Sequence, residues 1–230
     1  MTTKPIILGV DASAGACSAA LSVGGEVIGR QQIEARGHAT TLLALADQCL
    51  SEAAIARSRI NAIAYGCGPG GFTGVRVSAG VAQGMAMGLD CPGIPVSTLR
   101  LIAADPSIAE YAAGRVVAAL DARMGEVYTQ TFERHAGESD GLQAISAAVL
   151  CAPDDVTAPM ADWIGIGSGF LAYPGLSAKH SPPQHVAAAV VPDIRSAMAF
   201  ALSQYQNETL QPPAAIAPVY LRNQIAQASA

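Results

Sequence analysis

The chain has 230 residues, of which 51% are hydrophobic and only 13% charged, long enough to bury one large domain or two small ones. So little charge leaves few groups to solvate the surface and favours an apolar face covered by a partner. Eighteen acidic against 13 basic side chains, with no basic run, make the chain alone a poor grip for nucleic acid.

The opening MTTKPIILGVD reaches an acidic residue after a few apolar positions, so no signal peptide is expected. Pro5–Val10, Cys17–Val23 and Glu26–Ile33 read as three strands of a meander, with Gly24-Gly25 as a two-residue hairpin. The first turn holds Asp11, Ser13 and Gly15, small residues that leave space for a ligand. Thr40 or Thr41 is expected to cap a helix that runs to about Ile55. Its apolar positions, Leu42, Leu45, Cys49 and Ala53 with Leu43, Ala46, Leu50 and Ala54 beside them, make a stripe wide for a helix covering one side of a sheet. Either all of it is core or part of it faces a partner.

The stretch Asn61–Leu89 carries the most information. Ala62–Tyr65 reads as a buried strand, followed by Gly66, Gly68, Pro69, Gly70, Gly71 and Gly74, too many glycines for a regular element. A nearly uncharged helix capped by Thr73 then runs to Leu89, too short for the roughly 20 residues of a membrane span. Gly80, Gly84 and Gly88 fall on one face of it. Each costs about 1 kcal/mol of helix stability relative to alanine. The spacing therefore predicts that another helix or sheet approaches closely, in this chain or in another. Arg76 sits in the first turn, where the helix dipole disfavours a cation, and is expected to reach a carboxylate or a backbone carbonyl.

Beyond this stretch, Ile94–Val96 is a short strand and Ser97 caps a brief helix to about Ala104. Asp105-Pro106 marks a domain boundary, giving domains 1–104 and 105–230, with the last residues able to pack back on the first. From Arg115, VVAALDA, a turn at Arg123–Gly125 and a returning strand echo the opening, with Asp121 in the place of Asp11. Residues 135–159 read as loop. Asp162–Phe170 is a strand entering a turn with Gly165, Gly167 and Gly169; Ile194–Gln206 is a helix; Ala217–Asn223 is a short extended segment.

The motif census excludes much. Gly66-Cys-Gly68-Pro-Gly70-Gly71 formally matches the dinucleotide fingerprint, but proline interrupts the turn and Asp90 precedes its strand instead of ending it. There is no P-loop and no G-x-S-x-G elbow. The five cysteines, Cys17, Cys49, Cys67, Cys91 and Cys151, form no C-x-x-C and read as buried reduced thiols. His180 and His185 flank a proline pair and cannot share a helix face; His38 and His135 stand alone, so no metal site is expected. What remains is the pair of aspartate-ended strands, Asp11–Gly15 and Asp121–Gly125, with GIGSG at 165–169. These look like degenerate phosphate loops of the actin, sugar-kinase and heat-shock ATPase (ASKHA) superfamily, with Asp11, Ser13, Gly15, Asp121, Gly167 and Gly169 as candidate nucleotide-binding residues.

Together, VDASAGACSAAL (10–21), AYGCGPGGFTGVRVSAGVAQGMAMG (64–88), PVSTL (95–99), LDARMGEVY (120–128) and PVYLRN (218–223) resemble the TsaB (YeaZ) family of tRNA threonylcarbamoyladenosine synthesis. The resemblance implies an α/β fold of two ASKHA-like subdomains, each a mixed sheet with helices, the second reduced. It implies a cytoplasmic, non-catalytic partner of a TsaD homologue, joined by a TsaE-type ATPase and reaching tRNA only through that complex. A homodimer is implied in isolation. No cofactor is required, with a nucleotide accommodated at a domain or subunit interface. The paired-histidine metal helix of TsaD is missing, since only His38 opens the first helix. By the same resemblance Leu42, Leu45, Cys49, Arg76, Val77, Gly80, Val81, Gly84, Met87 and Gly88 are placed at or near the pairing surface. Two other readings stay open: a small acyl or sugar kinase using Asp121 as base, and a homodimeric nucleotide-binding module.

Overall fold

The computed structural model describes residues 4–33, 36–111, 114–135, 141–157, 159, 162–177 and 182–222. It divides into two compact units. The first runs to Leu101 and includes Pro192–Val219; the second comprises Ile102–Val191 and the residues from Tyr220 on. The second unit is therefore not the continuous stretch 105–230 expected from the sequence.

In the first unit, β1 (Ile7–Asp11), β2 (Ala16–Val23) and β3 (Glu26–Ile33) form the antiparallel meander, turned at Gly24 and Gly25 with φ of 63° and 103°. Next come α1 (His38–Glu52), β4 (Ala62–Gly68), α2 (Phe72–Leu89) and β5 (Gly93–Ser97), and the sheet order is β3-β2-β1-β4-β5. β4 lies parallel to β1 and to β5, and α2 supplies the crossover that a parallel β4–β5 pair needs. Alternation along β1 splits its side chains between two cores. Leu8 and Val10 meet Leu42, Leu45 and Cys49 of α1 and Ala79, Ala82 and Ala86 of α2. Ile7 faces the opposite layer, with Ala62, Ala64, Ile94, Val96, Ile194, Met198 and Ala201. Both faces are covered, so β1 and β4 are buried throughout.

The returning segment supplies that second layer. A 3-10 turn at Ile194–Ala197 leads into α5 (Met198–Gln206), so the single helix read from the sequence is two pieces. Ser18 Oγ accepts from the Ile194 amide at 2.9 Å, and Gln31 Nε2 donates to the Pro192 carbonyl at 3.0 Å. Farther on, Gln211 exchanges two backbone hydrogen bonds with Gly93 of edge strand β5. The Val219 amide donates to the Cys67 carbonyl at 2.7 Å.

The second unit begins within α3 (Thr98–Ala103) and holds β6 (Arg115–Arg123), β7 (Glu126–Arg134), β8 (Leu142–Ala144), β9 (Val149–Cys151), β10 (Trp163–Ile166), α4 (Ser168–Ala172) and β11 (His185–Ala187). Its sheet order is β11-β10-β6-β7-β8, with β9 also pairing β7. Trp163 is fully buried against a core that includes Val117, Ala119, Val127 and Phe170. β8 and β9 lie inside the stretch read as loop, because three-residue strands are too short to show an alternation.

Candidate functional site

At the carboxyl end of β1 the chain packs backbone against backbone. Asp11 and Ser13 are wholly buried, and Asp11 Oδ1 accepts from the Ser13 amide at 3.2 Å. A Cβ on Gly66 would collide with the Asp11 carboxyl; one on Gly70 or Gly74 would collide with the carbonyls of Ser13 or Ala12. The Gly71 amide donates to the Ser13 carbonyl at 2.8 Å. The glycine-rich loop, with a cis Gly68-Pro69 bond, thus closes on the first turn. Of the expected ligand-binding residues there, only Gly15 is exposed.

Burial drives the Asp11 carboxyl up to about 6, against partial relief from the Ser13 amide and a further push from Asp193. Among the described residues Asp11 Oδ2 and Ser13 Oγ find no hydrogen-bond partner. The neighbouring thiols are inert for the same reason: burial raises Cys67 to about 12 and Cys17 to about 11.

The echo in the second unit is closed in a different way. Gly167 and Gly169 press against the Ala119 backbone, so they serve the packing of α4 on β6. Asp121 Oδ1 accepts from the Arg123 amide at 2.9 Å and from the Tyr173 hydroxyl at 3.4 Å, while the Asp121 amide donates to Ser168 Oγ. The carboxylate offered as a base is engaged in holding its own turn.

The open surface is on α2. Phe72, Arg76, Gly80, Gly84 and Gly88 recur every fourth residue and form one exposed stripe. Beyond the adjacent residues and the helix's own backbone, no atom of the described residues lies within 4 Å of a Cβ built on any of the three glycines. Val77 and Val81 flank the stripe half-buried, and Met87 is 62% exposed. Arg76 Nη1 donates to the Phe72 carbonyl at 2.9 Å, as its place in the first turn predicts, and its guanidinium stacks 3.3 Å from the ring centroid of Phe72. Phe72, 72% exposed, went unnoticed in the sequence; its spacing of four from Arg76 and eight from Gly80 is the signal that would have found it.

Three expected surface residues are elsewhere. Leu42, Leu45 and Cys49 are buried against the sheet, and α1 presents Leu43, Ala44 and Asp47 instead. The sheet takes Leu42, Leu45, Ala46, Cys49 and Leu50 of the stripe and leaves Leu43 and Ala54 exposed. The expected caps fail too: both helices start from glycines, Gly37 and Gly71, without a side-chain cap, and Ser97 Oγ has no partner among the described residues. Among the described residues no group of histidine, cysteine and carboxylate side chains could hold a metal; His180 lies outside them.

Known proteins agree with this architecture. The tRNA threonylcarbamoyladenosine biosynthesis protein TsaB of Haemophilus influenzae is 33% identical over 226 residues, spanning 95% of this chain and 94% of its own. The chain belongs to the TsaB family. TsaB of Escherichia coli is 33% identical over 225 residues, spanning 96% of both chains. YeaZ from Pseudomonas aeruginosa superposes with a TM-score of 0.86 at 33% identity, covering 94% of this chain and 100% of that one. A family model described as TsaD, tRNA N6-adenosine threonylcarbamoyltransferase, matches residues 26–166, so the ASKHA-like fold of TsaB is the frame in which α2 is displayed.

Proposed function

We propose that this TsaB-family protein is a non-catalytic partner of the TsaD homologue of its organism, working in the cytoplasm on threonylcarbamoyladenosine formation in tRNA. The observation that carries the reading is the bare glycine stripe of α2. Three glycines destabilise an isolated helix by about 1 kcal/mol each, and nothing in the described chain exploits the flat surface they create. A partner helix approaching at short range does. Val77, Val81, Met87 and Phe72 then supply the apolar contact around it.

The non-catalytic part is supported by the strand ends: Asp11 is sealed, and Asp121 is committed to hydrogen bonds within its own turn. The reading calls for no resident cofactor or metal, and leaves any nucleotide to an interface with the partner. A net charge of −5 makes the partner, or the TsaE-type ATPase that joins it, the more suitable contact for tRNA. The same stripe serves a homodimer when the partner is absent.

Size-exclusion chromatography with light scattering, on this protein alone and mixed with the TsaD homologue, tests the reading. A heterodimer that replaces a homodimer is expected. Absence of any complex, with or without nucleotide, overturns the scaffold role and reopens the kinase reading through an ATPase assay.

A further inference from the structure

The chain re-enters the first unit at Pro192 and crosses three strands of its sheet as a strap. On β3, Gln31 Nε2 donates to the Pro192 carbonyl at 3.0 Å; on β2, Ser18 Oγ accepts from the Ile194 amide at 2.9 Å. Two strand positions are cleared of side chains to let it pass. A Cβ on Gly29 of β3 would collide with Arg195 Cγ and Cδ, and one on Gly9 of β1 would stand 2.7 Å from Ile194 Cγ1. The strap is fitted to this sheet residue by residue.

It also brings a second carboxylate beside Asp11. Asp193 is only 6% exposed; its Oδ1 accepts from the Arg195 amide at 2.9 Å, and its Oδ2 is held by the Arg195 guanidinium. Asp11, opposite Ser18 in the β1–β2 ladder, is wholly buried, and its Oδ2 has no hydrogen-bond partner among the described residues. Burial first, and then the Asp193 charge, oppose its ionisation, while the Ser13 amide relieves only part of that cost. The remaining titratable neighbours are thiols, Cys17 of β2 and Cys67 of β4. Burial raises them to about 11 and about 12, so both are neutral wherever Asp11 titrates. Gly68–Gly71 bring no charge, and the Arg195 guanidinium is turned to Asp193. An ionised Asp11 under the closed strap is uncompensated.

We propose that Pro192–Ala197 is a clasp governed by the proton on Asp11: it lies tight over the end of β1 while the acid is neutral and lifts more readily once the acid is ionised beside Asp193. Under the closed clasp the acid has a value of about 6, and hydrated under an open one it returns toward its ordinary 3.8. The closed form binds the proton better, so the clasp is tightest below about pH 4, weakens up to about pH 6 and changes little above that. At neutral pH the point where the chain enters the first unit is therefore held in its weaker state. None of this depends on which protein covers α2.

Hydrogen exchange of the whole protein, read residue by residue with intrinsic rates divided out, tests the clasp between about pH 4 and pH 7.5. Protection of the Ile194, Arg195 and Ser196 amides is expected to fall by about tenfold to a hundredfold up to about pH 6.5 and then level off. It should remain below that of the β1 amides throughout, as local opening requires. Asp11→Asn should keep the low-pH protection at every pH. Ser18→Ala, which leaves the acid in place, should lower protection of the same amides at every pH and preserve the slope. Protection that does not vary with pH in the wild type overturns the clasp, and so does a slope that survives in Asp11→Asn. Strap amides that match the β1 amides at every pH overturn it as well, since the acid would then act on the stability of the unit as a whole.

Discussion

Gly66 stands where any side chain would run into the carboxyl of Asp11. The strand that carries the glycine loop and the strand that ends in the aspartate have thus been fitted to one another. The acid is kept at the cost of burying a group that is charged in neutral water. Asp11 has a folded value of about 6 against an ordinary 3.8. The unfolded chain therefore releases this proton first as pH rises, and stability is lost between about pH 4 and pH 6, by up to about 3 kcal/mol. Asp11→Asn should be more stable than wild type at pH 7.5, with the difference shrinking toward pH 4. Urea denaturation at both values checks this; a gain that does not change with pH would assign it to packing instead of ionisation.

A glycine of strand β4 and a glycine of the α2 face should respond with opposite signs. Gly66→Ala puts a methyl group into the Asp11 carboxyl and should cost about 1–3 kcal/mol by overpacking. Gly80→Ala meets open space on a helix and should stabilise the monomer by about 0.5–1 kcal/mol. Thermal melts of the two variants at low protein concentration decide it, and a destabilised Gly80→Ala would mean that the stripe is covered in solution.

The pairing surface makes a sharper demand. Gly84→Arg should leave the monomer folded, since no described residue outside its own helix lies within 4 Å of the new Cβ, yet abolish association through α2. Sedimentation velocity reads both properties in one experiment. Normal assembly by this variant would take the surface away from α2.

Trp163 is the only tryptophan and is fully buried in the second unit. Its fluorescence therefore reports that unit by itself, while circular dichroism reports both. Trp163→Ala should destabilise the second unit by about 3–5 kcal/mol. If the two probes of the wild type trace one coincident transition, the units unfold together; separate midpoints would give each its own stability.

Tyr65 tests the returning segment. Its hydroxyl donates to Gln211 Oε1 at 2.9 Å and lies near the amide and carbonyl of Ala217. Tyr65→Phe should cost about 1–2 kcal/mol and leave residues 211–219 exchanging amide hydrogens faster. Unchanged exchange there would show that Gln83, which donates to Pro213 and Ile216 carbonyls at 3.3 Å, is sufficient to hold them.

Local rules account for what the sequence disclosed. The meander was legible because Gly24-Gly25 lies between apolar strands, and α2 because a glycine loop ends where an uncharged periodic run begins. Tertiary rules account for what it hid. Periodicity reports that Leu42, Leu45 and Cys49 share a face, but not whether a sheet or a partner covers it. Gly167 and Gly169 read as an open ligand turn because a glycine that admits a phosphate and one that admits a neighbouring carbonyl look alike. No composition signal separates Pro192–Val219 from the unit that precedes it, so its return to the first sheet was only hinted at.

That return has a consequence for how the chain is made. Strands β1 to β5 leave the ribosome first, yet the layer covering their second face is encoded only after Ile102–Val191, most of the other unit. Until residue 201 or so has emerged, Ile7, Ala62, Ile94 and Val96 lack their cover, which is the state most prone to aggregation. The first half to be synthesised is the last to be completed, and nascent chains halted before Pro192 should depend on chaperones in a way that the finished protein does not.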